Sequence, residues 1–180
     1  MREFEFSDAI AILKGTPATF DTLLRTMPDA LLRGNEGEGT WNALEIVAHM
    51  SFAEHTDWMP RIRTLLEHGE TQPFPPFDRF GHLTQDRERR IGELLDEFAI
   101  LRSDSVRALQ QLNLQTEDFS RRGHHPAFGS VTLSQLISTW AVHDFNHLHQ
   151  LTRVLAQQHR EAVGPWSAYL GVLQCNGHSS

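Results

Sequence analysis

The chain has 180 residues, 39% of them hydrophobic, which is enough for one compact core and short for two ordinary domains. Its 16 basic and 23 acidic residues leave a formal net charge of -7, and no basic run can neutralise a phosphate backbone, so no nucleic-acid partner is expected. A single cysteine excludes an internal disulfide, no apolar run approaches the roughly 18 residues of a membrane span, and MREFEFSDAI carries acids where a signal peptide has its apolar core; a cytoplasmic protein with no membrane contact is expected.

Apolar residues recur at helical spacing and strand-type alternation is nearly absent, so the fold class is all-α, in one domain over 1–180. The first helix is expected from Ser7 to Met27, kinked or briefly broken at Gly15-Thr16-Pro17, with Thr16 placed to cap a restart. A Gly-rich polar loop, 33–40, leads to a second helix capped by Asn42, with Glu45 completing a capping box. This helix runs to about Leu66, bent near Trp58-Met59 because Pro60 removes a backbone donor. Three prolines between Gly69 and Phe80 make that stretch a long surface connection. A third helix, from Thr84 to about Leu112, carries its core stripe on Ile91, Leu94, Leu95, Phe98, Leu101, Val106 and Leu109, with charged outer faces. The segment 118–129 reads as a polar loop, and Thr132-x-x-Gln135 caps a fourth helix reaching about Gln157. A short closing helix follows from Trp166 to Leu173, then a frayed tail from Asn176 to Ser180. Cys175 is expected as a small buried hydrophobe.

Of the eleven histidines, spacing singles out two. His143 and His147, four apart on the fourth helix, are separated by only about 40° around its axis, on the stripe that also carries Leu136, Trp140 and Leu151. Two imidazoles on an apolar face need partners for their ring nitrogens. Neighbouring backbone or carboxylates can supply them, and so can one shared cation. His49, among apolar residues of the second helix, reads by itself as a hydrogen-bonded core histidine. With the pair it makes a three-histidine set of the kind that binds a metal between bundle helices, suited to zinc or nickel, with iron, cobalt or manganese as alternatives, and leaving a coordination position open.

The strings Trp41-Asn42-x-x-Glu45-x-x-x-His49, Gly123-His124-His125-Pro126-x-Phe128-Gly129-x-Val131-Thr132-Leu133 and Trp140-x-x-His143-Asp144-x-x-His147, with the closing Val163-Gly164-Pro165-Trp166, resemble the DinB-like superfamily of metal-binding four-helix bundles, over almost the whole chain. The resemblance implies an up-down-down-up bundle, metal ligation by His49, His143 and His147, and a homodimer. It also implies relatives that are thiol-dependent transferases or isomerases using a low-molecular-weight thiol, related to maleylpyruvate isomerase-like domains.

Around the three histidines, Asp144 lies about 100° from His143 and is better placed to orient another group or pair with an arginine than to bind the same ion. Glu45 shares a face with His49, but capping is its expected role. His124 and His125 read as solvated loop residues, or as a general acid or base at a pocket mouth. Trp41, Trp58, Trp140 and Trp166 are expected in packing. His55, His68, His82, His149, His159 and His178 are expected on the surface. Two uses of the site follow: a metal-dependent enzyme acting on a small-molecule substrate, either a hydrolase or a thiol transferase, or a noncatalytic bundle in which the ion is a clamp or sensor. An accessible cavity at the ion favours the first and a closed shell the second.

Overall fold

A computed structural model describes residues 3–84 and 89–175. Helix α1 (Phe6–Leu24) is followed by a short α2 (Asp29–Arg33), α3 (Ala43–Thr56), α4 (Trp58–His68), α5 (Ile91–Gln111), a hairpin of β1 (Arg122–His125) and β2 (Gly129–Thr132), α6 (Leu133–Gln157) and α7 (Gly171–Gln174). Among the described residues the hairpin is the only sheet, so the molecule is helical as expected.

Two apolar clusters fix the direction of each helix. One gathers the start of α1 (Ala9, Leu13), the end of α3 with α4 (Ala53, Ile62, Leu65), the end of α5 (Val106, Leu109) and the start of α6 (Leu133, Ile137). The other gathers the end of α1 (Phe20, Leu24), the start of α3 (Ile46, Val47), the start of α5 (Leu94, Phe98) and the end of α6 (Leu151, Val154). Helices α1 and α6 therefore run one way, and α3 and α5 the other. This is the up-down-down-up bundle. A waist of buried polar side chains lies at mid-length: His49, Glu54, Arg102, Asp144 and His147.

Helix α1 passes through Gly15-Thr16-Pro17 without a break, and Thr16 is no cap: its hydroxyl donates to the Ile12 carbonyl one turn back. Pro17 cannot donate to the Leu13 carbonyl. That carbonyl instead accepts from Arg102 Nη1 at 3.0 Å, so the neighbouring helix satisfies the group that proline leaves free. The second helix divides at Asp57, just before the expected bend, so that Pro60 falls in the first turn of α4, where a backbone donor has no intrahelical partner anyway.

Both expected capping boxes form. Glu45 N donates to Asn42 Oδ1 at 3.0 Å and Gln135 N to Thr132 Oγ1 at 3.2 Å, each with the reciprocal bond. Glu45 is thus a capping residue. Thr132→Ala is expected to cost about 1 kcal/mol in urea denaturation, and no change would mean that the hairpin alone sets the start of α6.

The polar stretch expected as a loop is a hairpin, with Arg122 opposite Thr132 and His125 opposite Gly129. Gly129 takes a positive φ of 71°, and His125 Nδ1 accepts from the Ala127 and Phe128 amides, closing the turn. The proline-rich connection is not wholly on the surface, because Phe74 N donates to the His124 carbonyl and its ring is buried. Cys175 is exposed, contrary to expectation, with its thiol donating to the Gly171 carbonyl. The third helix, expected from Thr84, begins at Ile91, and Thr84 instead closes the turn Gly81–Thr84; residues 85–88, the tail 176–180 and His178 lie outside the described residues.

Candidate metal centre

His49 projects from the middle of α3, and His143 and His147 from successive turns of α6. The antiparallel packing of these helices brings the three rings together. His143 Nε2 lies 3.4 Å from His49 Nε2 and 3.0 Å from His147 Nε2. Metal–nitrogen bonds of about 2.0–2.1 Å place ligand nitrogens about 3.3 Å apart at tetrahedral angles and about 2.9 Å apart at right angles. The observed separations fit one ion.

The chemistry of the donor set agrees. Burial drives His49 down to about 2, takes His143 well below the ordinary imidazole range and lowers His147 against a hydrogen bond to Gln150, so all three rings are neutral, as ligation requires. His147 Nδ1 donates to Gln150 Oε1 at 2.7 Å, which leaves its Nε2 a bare lone pair facing the other two. Without an ion, one Nε2 proton on His143 would have to serve both neighbours, at 3.0 and 3.4 Å. Among the described residues, His143 Nδ1 also lacks a hydrogen-bond partner. A divalent cation at the shared point would accept all three lone pairs at once.

Aromatic walls hold the rings. Trp41 stacks on His147 at 6.2 Å between centroids and 15° between planes, Trp58 meets His143 edge-on at 5.1 Å, and Phe77 meets His49 edge-on at 5.7 Å. Trp58 also stacks on Trp140, which donates to Glu54 Oε1. Trp41, Trp58 and Trp140 are thus packed as expected, whereas Trp166 is exposed.

A cavity of about 230 Å³ opens on the three histidines, with Asp57, Trp58, Arg79 and Asn146 in its lining. Asp57 is the sole carboxylate among those lining residues; burial raises it to about 6 against the pull of Arg61, whose Nε lies 2.6 Å from Oδ1. Arg79 is exposed at the rim, and its charge bears on all three histidines. A larger cleft between α1 and α5 lies away from the histidines.

Asp144 pairs with an arginine, as the helix geometry suggested: both its oxygens bind Arg102, at 2.5 and 2.8 Å, with Glu54 on the same guanidinium at 2.8 Å. His124 and His125 sit on the hairpin and are not among the cavity's lining residues. His82 is a correction. Instead of facing solvent it is buried against Trp41 and His49, with burial lowering it to about 4, because the turn Gly81–Thr84 folds under the end of the proline-rich connection. His55, His68, His149 and His159 are exposed as expected. Asp57, Arg79 and His82 carried no spacing signal. Gln150 did, three residues after His147 and on its face.

The structure superposes on YfiT from Bacillus subtilis, reported as a probable metal-dependent hydrolase with an unusual four-helix bundle topology, with a TM-score of 0.73 over 88% of this chain and 90% of that one, at 18% identity. At that identity the likeness concerns the fold. No curated protein matches the sequence. The family model of the DinB superfamily matches residues 12–151, which takes in all three histidines and most of the four bundle helices, and the chain belongs to that superfamily.

Proposed function

We propose that this protein is a metal-dependent hydrolase working through one divalent ion held by His49, His143 and His147, with zinc or nickel best suited to three imidazoles. The observation that carries the reading is the cavity: three converging neutral nitrogens form part of the wall of a space that a small molecule can enter. A structural clamp would instead bury its ion in a closed shell of protein donors. The name given to YfiT agrees with this reading.

A divalent ion held by these three histidines would supply Lewis acidity and make water a stronger acid. The chain's own residues do the rest. Asp57, lifted by burial towards neutral pH, takes the proton of the attacking water at a carboxylate oxygen. Trp58 and Phe77 give the cavity apolar wall, and the Asn146 amide offers a donor and an acceptor for orienting a substrate. Thiol transfer on the same donor set would need a thiol from solution, since Cys175 is exposed near the C-terminal end and is not among the cavity's lining residues.

The test is elemental analysis of protein purified without a metal-affinity step, joined to hydrolysis of small esters and amides. Wild type is expected to carry near one ion per chain, and His49→Ala and His143→Ala/His147→Ala to lose it. Asp57→Asn should keep the ion and lose about 100-fold in rate. Wild type that takes up neither zinc nor nickel, or an Asp57→Asn variant of undiminished rate, would overturn the reading.

A further inference from the structure

Resting on the hydrolase reading, we propose that the substrate is a small carboxylic acid derivative whose carboxylate is anchored by Arg79 at the rim of the histidine cavity. The argument is one of charge. A divalent ion on three neutral imidazoles would bring the site to +2, and Arg79, in the lining of the same cavity, adds another positive charge. The one carboxylate in the lining, Asp57, is already committed to Arg61. Among the described residues Arg79 has no carboxylate partner, whereas Arg61, Arg102 and Arg153 each sit on one.

A guanidinium beside a cation is repelled by it, partly screened by solvent at the exposed rim, and a negative group between the two relieves that repulsion. An anionic substrate is that group, and the repulsion it relieves becomes binding energy. The planar fork of a guanidinium matches the two oxygens of a carboxylate. Size points the same way, because about 230 Å³ lies below the range of drug-sized ligand pockets and fits a short acid better than a nucleotide or peptide. Trp58 and Phe77 supply apolar wall for a short carbon chain, and Asn146 a polar contact along it.

The experiment is calorimetric titration of succinate, succinamide and inorganic phosphate into cobalt-loaded and chelator-treated protein, for wild type, Arg79→Gln and Arg79→Lys. Succinate is expected to bind cobalt-loaded wild type and to lose at least tenfold in affinity in Arg79→Gln at unchanged cobalt content, with Arg79→Lys between the two. Succinamide should not distinguish the variants. Equal succinate affinity in wild type and Arg79→Gln overturns the proposal, as does an Arg79-dependent loss seen for phosphate alone, or no anion binding at all. Failure of wild type to load cobalt strikes the hydrolase reading by itself. The contrast between wild type and Arg79→Gln is then read in chelator-treated protein, where equal or absent succinate binding overturns the assignment to Arg79.

Discussion

Arg102→Ala is expected to lower stability by about 3–5 kcal/mol, the range for removing one partner of a buried ion pair, and so to consume a large part of a typical domain's margin. Arg102 is 1% exposed and holds three groups at once: Asp144 through both oxygens, Glu54, and the Leu13 carbonyl that Pro17 leaves without its helical donor. Its guanidinium also lies over the Phe98 and Trp140 rings, at 5.0 and 5.5 Å from their centroids. Truncation leaves two carboxylates, 4% and 0% exposed, without a counter-charge, and one carbonyl without a donor. The loss follows from the stranded acids, so the triple variant Arg102→Met/Glu54→Gln/Asp144→Asn should recover most of it. Arg102→Lys should fall between, since one ammonium cannot reproduce the fork. Urea denaturation of the set decides. An Arg102→Ala cost below about 1 kcal/mol, or a triple variant as unstable as the single one, would show that the network is not what ties α1, α3, α5 and α6 together at mid-length.

That network also marks where the sequence is hard to read. The capping boxes at Asn42 and Thr132 and the histidine pair on α6 are legible because each is a short-range pattern, set by helix geometry within a few residues. On α5 the expected core stripe passed through Leu101, yet Leu101 is half-buried and Arg102 takes the core position. The spacing Phe98, Arg102, Val106 and Leu109 is the better helical stripe, but a charged residue in it reads as solvent-facing until Glu54 and Asp144 arrive from other helices. Pro17 misled for the same reason: its usual effect is to break a helix, and the donor that offsets it is supplied 85 residues later. The hairpin at 122–132 was concealed because its strands are four residues each and polar, and its pairing is completed by Phe74 from the proline-rich connection. His82, Asp57 and Arg79 join the site only through tertiary folding. No local period could announce them.

Metal-free protein is expected to lose stability steeply as pH falls below about 6.5, and the metal-loaded protein to hold a higher Tm until acid releases the ion. The sign follows from the histidines. In the folded chain His49 is pushed to about 2, His82 to about 4, His143 well below its ordinary value and His147 downward, all chiefly by burial, while in the unfolded chain each titrates near 6.5, as an ordinary imidazole does. Below that pH the unfolded state binds more protons than the folded one, so stability present above 6.5 drains as pH falls towards the folded values. Each fully shifted group contributes up to about 1.4 kcal/mol per pH unit, and several together are enough to exhaust a marginal domain. Asp57 opposes them. Its folded value, raised to about 6 from 3.8, makes protonation favour the folded state between those pH values, and Glu54, also raised by burial, acts in the same direction, two groups against the four histidines. At pH 7.5, where the imidazoles are neutral in both states, a bound ion stabilises by about 4 kcal/mol when its free concentration is a thousand times its Kd. Thermal unfolding with and without chelator at pH 7.5, 6.5 and 5.5 should therefore show a chelator-sensitive Tm that converges on the metal-free value as pH falls. His49→Leu should abolish the chelator effect and flatten the acid slope, because it removes both a proposed ligand and a buried titrating ring. A metal-free Tm that stays level from pH 7.5 to 5.5 would mean that the histidines open to solvent without cost, contradicting the packed waist on which both the fold and the proposed centre depend.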